Sequence, residues 1–252
     1  MMTEERREKI KKMLFESGRV LVREVSRDLN ISEVTIRKDL EALEQRGVLS
    51  RVHGGAIITE SLVSDKALTE KAHLYADEKE RIARRAASMI KKGDVVVLDS
   101  GSTTTQIARQ IKMLSDVTVI TNAVNIATEL ASSQLSVILT GGNLREKSFS
   151  LVGPLAEDSL RHFTANKFFL AVDGIHPEFG LTTPNLQEVR VNQLMMKMSM
   201  EIILVADHSK FGRRSMGVIS KVGAVDKVIT DDKVDTAYLQ RLRDIGVEVI
   251  VV

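Results

Sequence analysis

The sequence predicts an α/β protein in two parts: a small three-helix unit with a β-wing over residues 1–57, and a larger, mostly parallel α/β domain over residues 75–252, with a linker at 58–74. Three observations carry this reading. The first sixty residues hold short helix-period segments followed by a basic stretch ending in a glycine pair. Beyond residue 90, near-continuous β-branched runs alternate with helical patterns. The loops that follow those runs are unusually polar. A length of 252 residues suits a small unit plus a medium one, and 28% charged with 43% hydrophobic residues is the composition of a soluble globular chain. No apolar run approaches the roughly 18 residues that span a bilayer, and the amino terminus is a charged helix with no signal-peptide core, so a cytoplasmic protein without membrane contact is expected. Zero cysteines exclude disulfides, thiolate zinc sites and a cysteine nucleophile. His53, His73, His162, His176 and His208 show no metal-ligand spacing, and neither a metal nor a cofactor is expected.

In the first unit, Glu4–Ser17 reads as a helix with Ile10, Met13 and Leu14 inward, broken at Gly18. A second helix covers Val22–Leu29 with Val25 and Leu29 inward, and Asn30-Ile31 turns into the third. Ser32 is a good N-cap for that third helix because its hydroxyl can accept from a free first-turn amide, and Gly47 closes the other end. Ile36, Leu40 and Leu43 recur at i, i+4, i+7 and so face a core. Glu33, Thr35, Arg37 and Lys38 lie on the opposite face. The run Val48–His53 alternates apolar and polar, which predicts a strand with Arg51 and His53 on one face, and Gly54-Gly55 permits a tight reversal. This is the layout of a winged helix-turn-helix, whose outward helix enters the major groove. Thr35, Arg37 and Lys38 are expected near base edges or nearby phosphates, and Ser32, Arg51 and His53 on phosphates. Residues 1–57 hold 12 Lys+Arg and 10 Asp+Glu out of totals of 36 and 34, so the whole excess of +2 sits in this unit.

After the linker, Asp77–Ile90 reads as an amphipathic helix. Strands are expected at Val95–Leu98, Val117–Ile120, Ser136–Leu139, Lys167–Leu170, Ile202–Val205, Lys227–Ile229 and Val247–Val252. In such sheets ligands bind beyond the carboxyl ends of the strands. The first of those ends carries Asp99, Ser100, Gly101, Ser102, Thr103, Thr104 and Thr105 opening into a helix, which exposes free amides at the positive end of a helix dipole. A well-capped helix with no ligand is the alternative for this loop alone, and it is neither a Walker motif nor G-x-G-x-x-G. Further strand ends supply Asn122, Gly141, Gly142 with Arg145 and Lys147, Asp173, Gly174, Asp207 and Lys210. Asp99, Asn122, Asp173 and Asp207 suit hydroxyl recognition, while Ser102, Thr103, Thr104, Lys210 and Arg145 suit a phosphate. Together they suit a phosphorylated sugar.

The segments Thr35-Ile36-Arg37-Lys38-Asp39-Leu40, Leu43-Glu44, Gly47 and Arg51-Val52-His53-Gly54-Gly55-Ala56 resemble the signature of the DeoR family of bacterial transcriptional regulators. The D-S-G-S-T-T loop, the G-G-N-L-R segment and the A-D-H-S-K-F-G segment resemble the effector domain of the same family, which is similar in fold to ribose-5-phosphate isomerase. The resemblance implies a repressor acting on double-stranded operator DNA of a carbohydrate operon, with a phosphorylated sugar as effector. The stretch Asp173–Thr183 most resembles members controlling the catabolism of amino sugars such as N-acetylgalactosamine. The rival reading is an isomerase-like enzyme fused to a DNA-binding domain, with Glu188 as the base. Those isomerases carry Asp-Gly-Ala-Asp where this chain has Asp173-Gly174-Ile175-His176, so a second carboxylate is missing, and a non-enzyme is expected. Glu188 can equally cap a helix, bond a ligand hydroxyl or pair with Arg190. The Met-rich stretch Leu194–Met200 fits either core packing or an oligomer interface. Because symmetric assemblies read paired half-sites, a homodimer or homotetramer is expected.

Overall fold

The computed structural model describes residues 3–17, 19–45, 49–58, 62 and 64–252. The break expected at Gly18, the stop at Gly47, the strand start at Val48 and linker positions 59–61 and 63 lie outside these. The chain divides into two compact units at residues 62 and 63.

The first unit runs α1 (Thr3–Ser17), β1 (Arg19–Leu21), α2 (Val22–Leu29), α3 (Glu33–Gln45), β2 (Leu49–Val52) and β3 (Gly55–Ile58). Ile36, Leu40 and Leu43 of α3 are fully buried against Ile10 and Leu14 of α1 and Val22 and Val25 of α2, as the seven-residue spacing requires. Asn30 adopts φ +52 and closes α2, and Ser32 Oγ accepts from the Thr35 amide at 3.3 Å at the start of α3. Two of the three strands, β1 and β3, have no counterpart in the sequence reading. All pair antiparallel in the order β1-β3-β2. Gly54 turns the wing at φ +80, and a Cβ on Gly55 would lie 2.1 Å from the Val20 carbonyl, so only glycine lets β1 and β3 pair here. An ion pair is buried in this small core, Asp39 with Arg6. Asp39 of α3 accepts from Arg6 Nε at 2.5 Å and Arg7 Nε at 3.0 Å, tying α1 to α3.

The second unit begins with α4 (Leu68–His73) and α5 (Ala76–Ala87), followed by β4 (Val95–Leu98), α6 (Ser102–Ile111), β5 (Thr118–Thr121), α7 (Val124–Leu130) and β6 (Ser136–Leu139). A hairpin of β7 (Asn143–Arg145) and β8 (Ser150–Val152), then α8 (Pro154–Leu160), lead to β9 (Ala165–Leu170), β10 (Gly174–His176), β11 (Gly180–Thr183) and α9 (Leu186–Met198). The chain ends with β12 (Ser199–Val205), β13 (Gly217–Ser220), β14 (Lys227–Thr230), α10 (Thr236–Asp244) and β15 (Glu248–Val251).

All seven strands foreseen as β-branched runs pair in one parallel sheet, in the order β15-β14-β12-β9-β4-β5-β6. Alternate residues feed two cores. Val96, Leu98, Val119 and Phe169 pack under α5, α6 and α7, while Val97, Ile120, Phe168 and Leu170 pack under α8, α9 and α10. Burial on both faces is why these strands read as continuous apolar runs. The strand order reverses between β4 and β9, so the crevice beyond their carboxyl ends is the topological switch point. The small sheets β7-β8 and β10-β11-β13, absent from the sequence reading, are short antiparallel additions. On the Met-rich segment, Met195 is buried and Met200, which belongs to β12, is 81% exposed. Residues 65–73 were expected in a linker. They instead carry α4, and Leu68 of α4 is buried in this unit.

Candidate functional site

On the outer face of α3, Arg37 and Lys38 are exposed and Thr35 is half-buried at the first turn. Arg37 Nη2 pairs with Glu33 Oε2 at 2.6 Å, one helical turn back. Ser32 Oγ also lies 2.9 Å from Thr35 Oγ1, so these two hydroxyls are organised by the cap. Arg51 of β2 donates its backbone amide and its Nε to the two oxygens of Glu44, both at 2.8 Å, which locks the wing to the end of α3. The Arg51 amide bond, and then the guanidinium, hold the Glu44 carboxyl below its ordinary range. His53 sits exposed at the tip between β2 and β3. The six residues expected at DNA thus all belong to α3, its cap or the wing. Val34, 61% exposed in the first turn of α3, is an apolar side chain on this face that sequence reasoning left out.

In the second unit, a polar crevice enclosing about 50 Å3 lies at the β4/β9 switch point. Of the residues expected at a ligand, Asp99, Gly101, Ser102, Thr103, Arg145, Asp173, Glu188 and Lys210 line it. Thr104, Asn122, Gly141, Gly142, Gly174 and Asp207 do not, and each has a structural task in place of it. Thr104 Oγ1 donates to the Gly101 carbonyl at 3.0 Å. Asn122 is buried and donates its Nδ2 to the Leu151 carbonyl at 3.3 Å, with its Oδ1 left without a partner. Gly141 and Gly142 adopt φ +74 and +119 in the turn after β6. A Cβ on Gly174 would come 2.6 Å from both the Arg213 carbonyl and Thr182 Oγ1. Asp207 is buried and accepts from the Ser209 amide at 3.0 Å, capping the short turn that carries Lys210.

The carboxyl groups of the crevice sit in contrasting surroundings. Asp99 is buried, accepts from the Ser100 and Ala171 amides at 2.6 and 3.2 Å, and has its carboxyl pushed well above the ordinary range by desolvation and then by the Glu188 charge. Asp173 goes the other way. Burial alone would raise it, but the charges of Lys71 and Lys210, with hydrogen bonds from Lys71 at 2.5 Å and Thr183 at 3.1 Å, hold it below the ordinary range. Glu188, in the first turn of α9 behind the Asn185 cap, accepts from Arg145 at 3.2 Å and Ser150 at 3.0 Å, and its other oxygen lies 3.4 Å from the Thr183 hydroxyl that serves Asp173. These bonds hold the Glu188 carboxylate in place at the crevice wall. Asn192, one turn further along α9, is 4% exposed, offers its amide nitrogen to Asp99 at 3.4 Å, and leaves its Oδ1 buried without a partner. Such an orphaned acceptor is costly unless something donates to it.

Sequence reasoning missed Asp65, Leu68, Lys71, Ser148 and Asn192 in this lining. Asn192 was findable, since it lies at i+4 from Glu188 on the same helix face. Among the described residues no group of His, Asp and Glu is placed to hold a metal ion, and no helix is long and apolar enough to cross a membrane.

Residues 6–62 match the DeoR-like helix-turn-helix domain, and residues 75–232 match the DeoR C terminal sensor domain. Over 99% of its length the chain is 39% identical to an assigned aga operon transcriptional repressor of Escherichia coli O157:H7, covering 94% of that protein. It is 35% identical to the HTH-type transcriptional regulator GlpR of Haloferax volcanii, over 99% of this chain and 98% of the relative. Among solved structures, ribose 5-phosphate isomerase A of Methanocaldococcus jannaschii matches 54% of each chain at 15% identity with a TM-score of 0.40. The relatives that match along the full length are regulators, and they lend nothing to the enzyme alternative. With both family models matched in order along one chain, this protein belongs to the DeoR family of transcriptional regulators.

Proposed function

We propose that the chain represses a carbohydrate-catabolic operon by setting the N-terminal half of α3 into the major groove of double-stranded operator DNA, and that a phosphorylated sugar in the β4/β9 crevice releases it. The observation that carries the effector reading is the crevice itself. The amide-rich start of α6, the cations Arg145, Lys147 and Lys210, and the orphaned Asn192 oxygen converge at one switch point. Anion recognition needs the first two, and a sugar hydroxyl would satisfy the third. Thr35 and Arg37 take the base edges and Lys38 a nearby phosphate, with Ser32, Arg51 and His53 on the backbone. The likeness to an aga operon repressor, together with the Asp173–Thr183 stretch, favours a phosphorylated amino sugar of the N-acetylgalactosamine type. A cytoplasmic homodimer or homotetramer would present two wings to half-sites about 34 Å apart, or a multiple of that.

The test is a calorimetric titration of the full chain with N-acetylgalactosamine 6-phosphate, galactosamine 6-phosphate, glucose 6-phosphate and the matching free sugars. Binding of a phosphorylated sugar, no binding of its free counterpart and no turnover is the expected result. Turnover of any of them would restore the enzyme alternative.

A further inference from the structure

Residues 64–73 form a strap across the crevice, and its anchors are the same kinds of group that an acidic sugar would use. The Asp65 carboxylate sits on the Arg145 guanidinium, both largely buried, with Lys147 Nζ donating to the Asp65 carbonyl at 3.3 Å. The Leu68 amide donates to the Lys147 carbonyl at 2.7 Å, and Lys71 Nζ pairs with Asp173 at 2.5 Å.

Volume and charge point the same way. With Asp65 seated, the crevice encloses about 50 Å3, room for a few water molecules, whereas ligand pockets run from about 300 Å3 upward. A sugar phosphate therefore enters only if a wall yields. The other walls are strand ends and the first turns of α6 and α9, rooted in the two cores, with the β7-β8 hairpin that carries Arg145 and Lys147 and the turn that carries Lys210. Anchors of the strap include the ion pairs of Asp65 and Lys71, the contacts of the Asp65 carbonyl and the Leu68 amide, the buried Leu68 side chain and, at its far end, the Lys79 bond to the Lys71 carbonyl. A phosphate competes directly for a guanidinium that holds one carboxylate from the strap, and a neutral sugar does not.

We infer that Asp65 is a built-in competitor for the acidic group of the effector, so that a phosphorylated ligand takes over Arg145, lifts residues 64–67 from the crevice and frees the stretch of chain that runs directly back to the DNA-reading unit. This rests on the effector reading above and adds the regulation of that site. The competition gives the sensor its requirement for an acid, and it makes ligand entry and strap release one event with differential affinity for two arrangements.

The experiment compares the full-length protein with its Asp65→Asn variant. Inorganic phosphate and the three sugar phosphates named above are titrated by calorimetry, and amide hydrogen exchange of residues 64–68 is followed in both proteins. Removing the competing charge should tighten binding of each probe that the wild type binds by about tenfold, and saturating probe should raise exchange of residues 64–68 in the wild type. Asp65→Asn should exchange fast there before any probe is added. If the wild type binds a sugar phosphate while Asp65→Asn binds it no more tightly, or the strap amides stay protected at saturation, the inference fails and the effector reading stands. If neither protein binds any probe, both fall.

Discussion

Arg37 and Lys38 are adjacent on α3, and the proposed reading of operator DNA gives them different tasks. A guanidinium can meet a guanine edge with two parallel bonds, and the Glu33 pairing at 2.6 Å pre-orients it. Arg37→Ala should lose about 1 to 3 kcal/mol of operator affinity at one base position and relax the preference there, read by competition among duplexes selected from a randomised library. Lys38→Ala should weaken every duplex alike and lower the slope of log K against log salt by about 1. Equal behaviour of the two variants would remove the distinction. In the crevice the telling residue is Asn192. Replacing its orphaned amide with an apolar group of similar size, Asn192→Leu, should weaken binding of a sugar phosphate by about 1 to 3 kcal/mol while leaving operator affinity within about twofold. Unchanged sugar affinity would show that its oxygen serves no ligand. At this scale the sequence was informative where a residue's task is local. Ser32 announces a cap, and Asp99 through Thr103 announce a strand-to-helix loop. It was silent on Asp65 and Lys71, because their partners Arg145 and Asp173 lie far along the chain and the run around them has no period to read.

Elements held by few side chains give the sharpest stability tests. The joint between α1 and α3 depends on the buried Asp39 carboxylate between Arg6 and Arg7. Asp39→Asn leaves a guanidinium without its partner and should cost about 3 kcal/mol, seen as early melting of the DNA-reading unit in a thermal scan. A shift below about 1 kcal/mol would show that the pair is solvated. The joint between α4 and α5 depends on Lys79, 2% exposed, whose ammonium donates to the Lys71 and Leu74 carbonyls, each at 2.5 Å, and lies 4.0 Å from Asp207. Desolvation pushes its pKa from the ordinary 10.5 to about 8 against the favourable field of Asp207, with Lys210 and Lys71 adding to the depression and Glu78 opposing it. Between pH 8 and 10.5 the unfolded chain therefore holds one proton more than the fold. Stability relative to Lys79→Met should rise with pH across that window, by on the order of 3 kcal/mol, and be constant below it. A difference between the two proteins that stays flat in denaturant unfolding from pH 8 to 10.5 would contradict this.

The two-part architecture was legible because its largest signals are physical necessities. Strands buried on both faces must be apolar throughout, so β4, β9 and β12 are plain in the sequence. Strands of three or four residues with mixed polarity, such as Asn143–Arg145 and Gly174–His176, carry no comparable pattern and appear only through their partners. The crevice followed from the rule for strand ends, yet a chain-order list of those ends also gathered Asn122, whose amide nitrogen bonds the Leu151 carbonyl, and Asp207, which caps the turn carrying Lys210. What joins the parts into a regulator is coupling. A sugar phosphate can alter DNA affinity only to the extent that it prefers one arrangement of the chain, and about 1 to 3 kcal/mol of preference corresponds to roughly 5- to 150-fold. The most direct measurement is operator affinity of the full chain, on a duplex selected from a randomised library, with and without a saturating sugar phosphate and its free sugar. The expected result is at least about fivefold weaker binding with the phosphorylated form and none of that change with the free sugar. Operator affinity that is the same with every sugar phosphate, bound at saturation in the crevice, would contradict the claim that the two units are coupled.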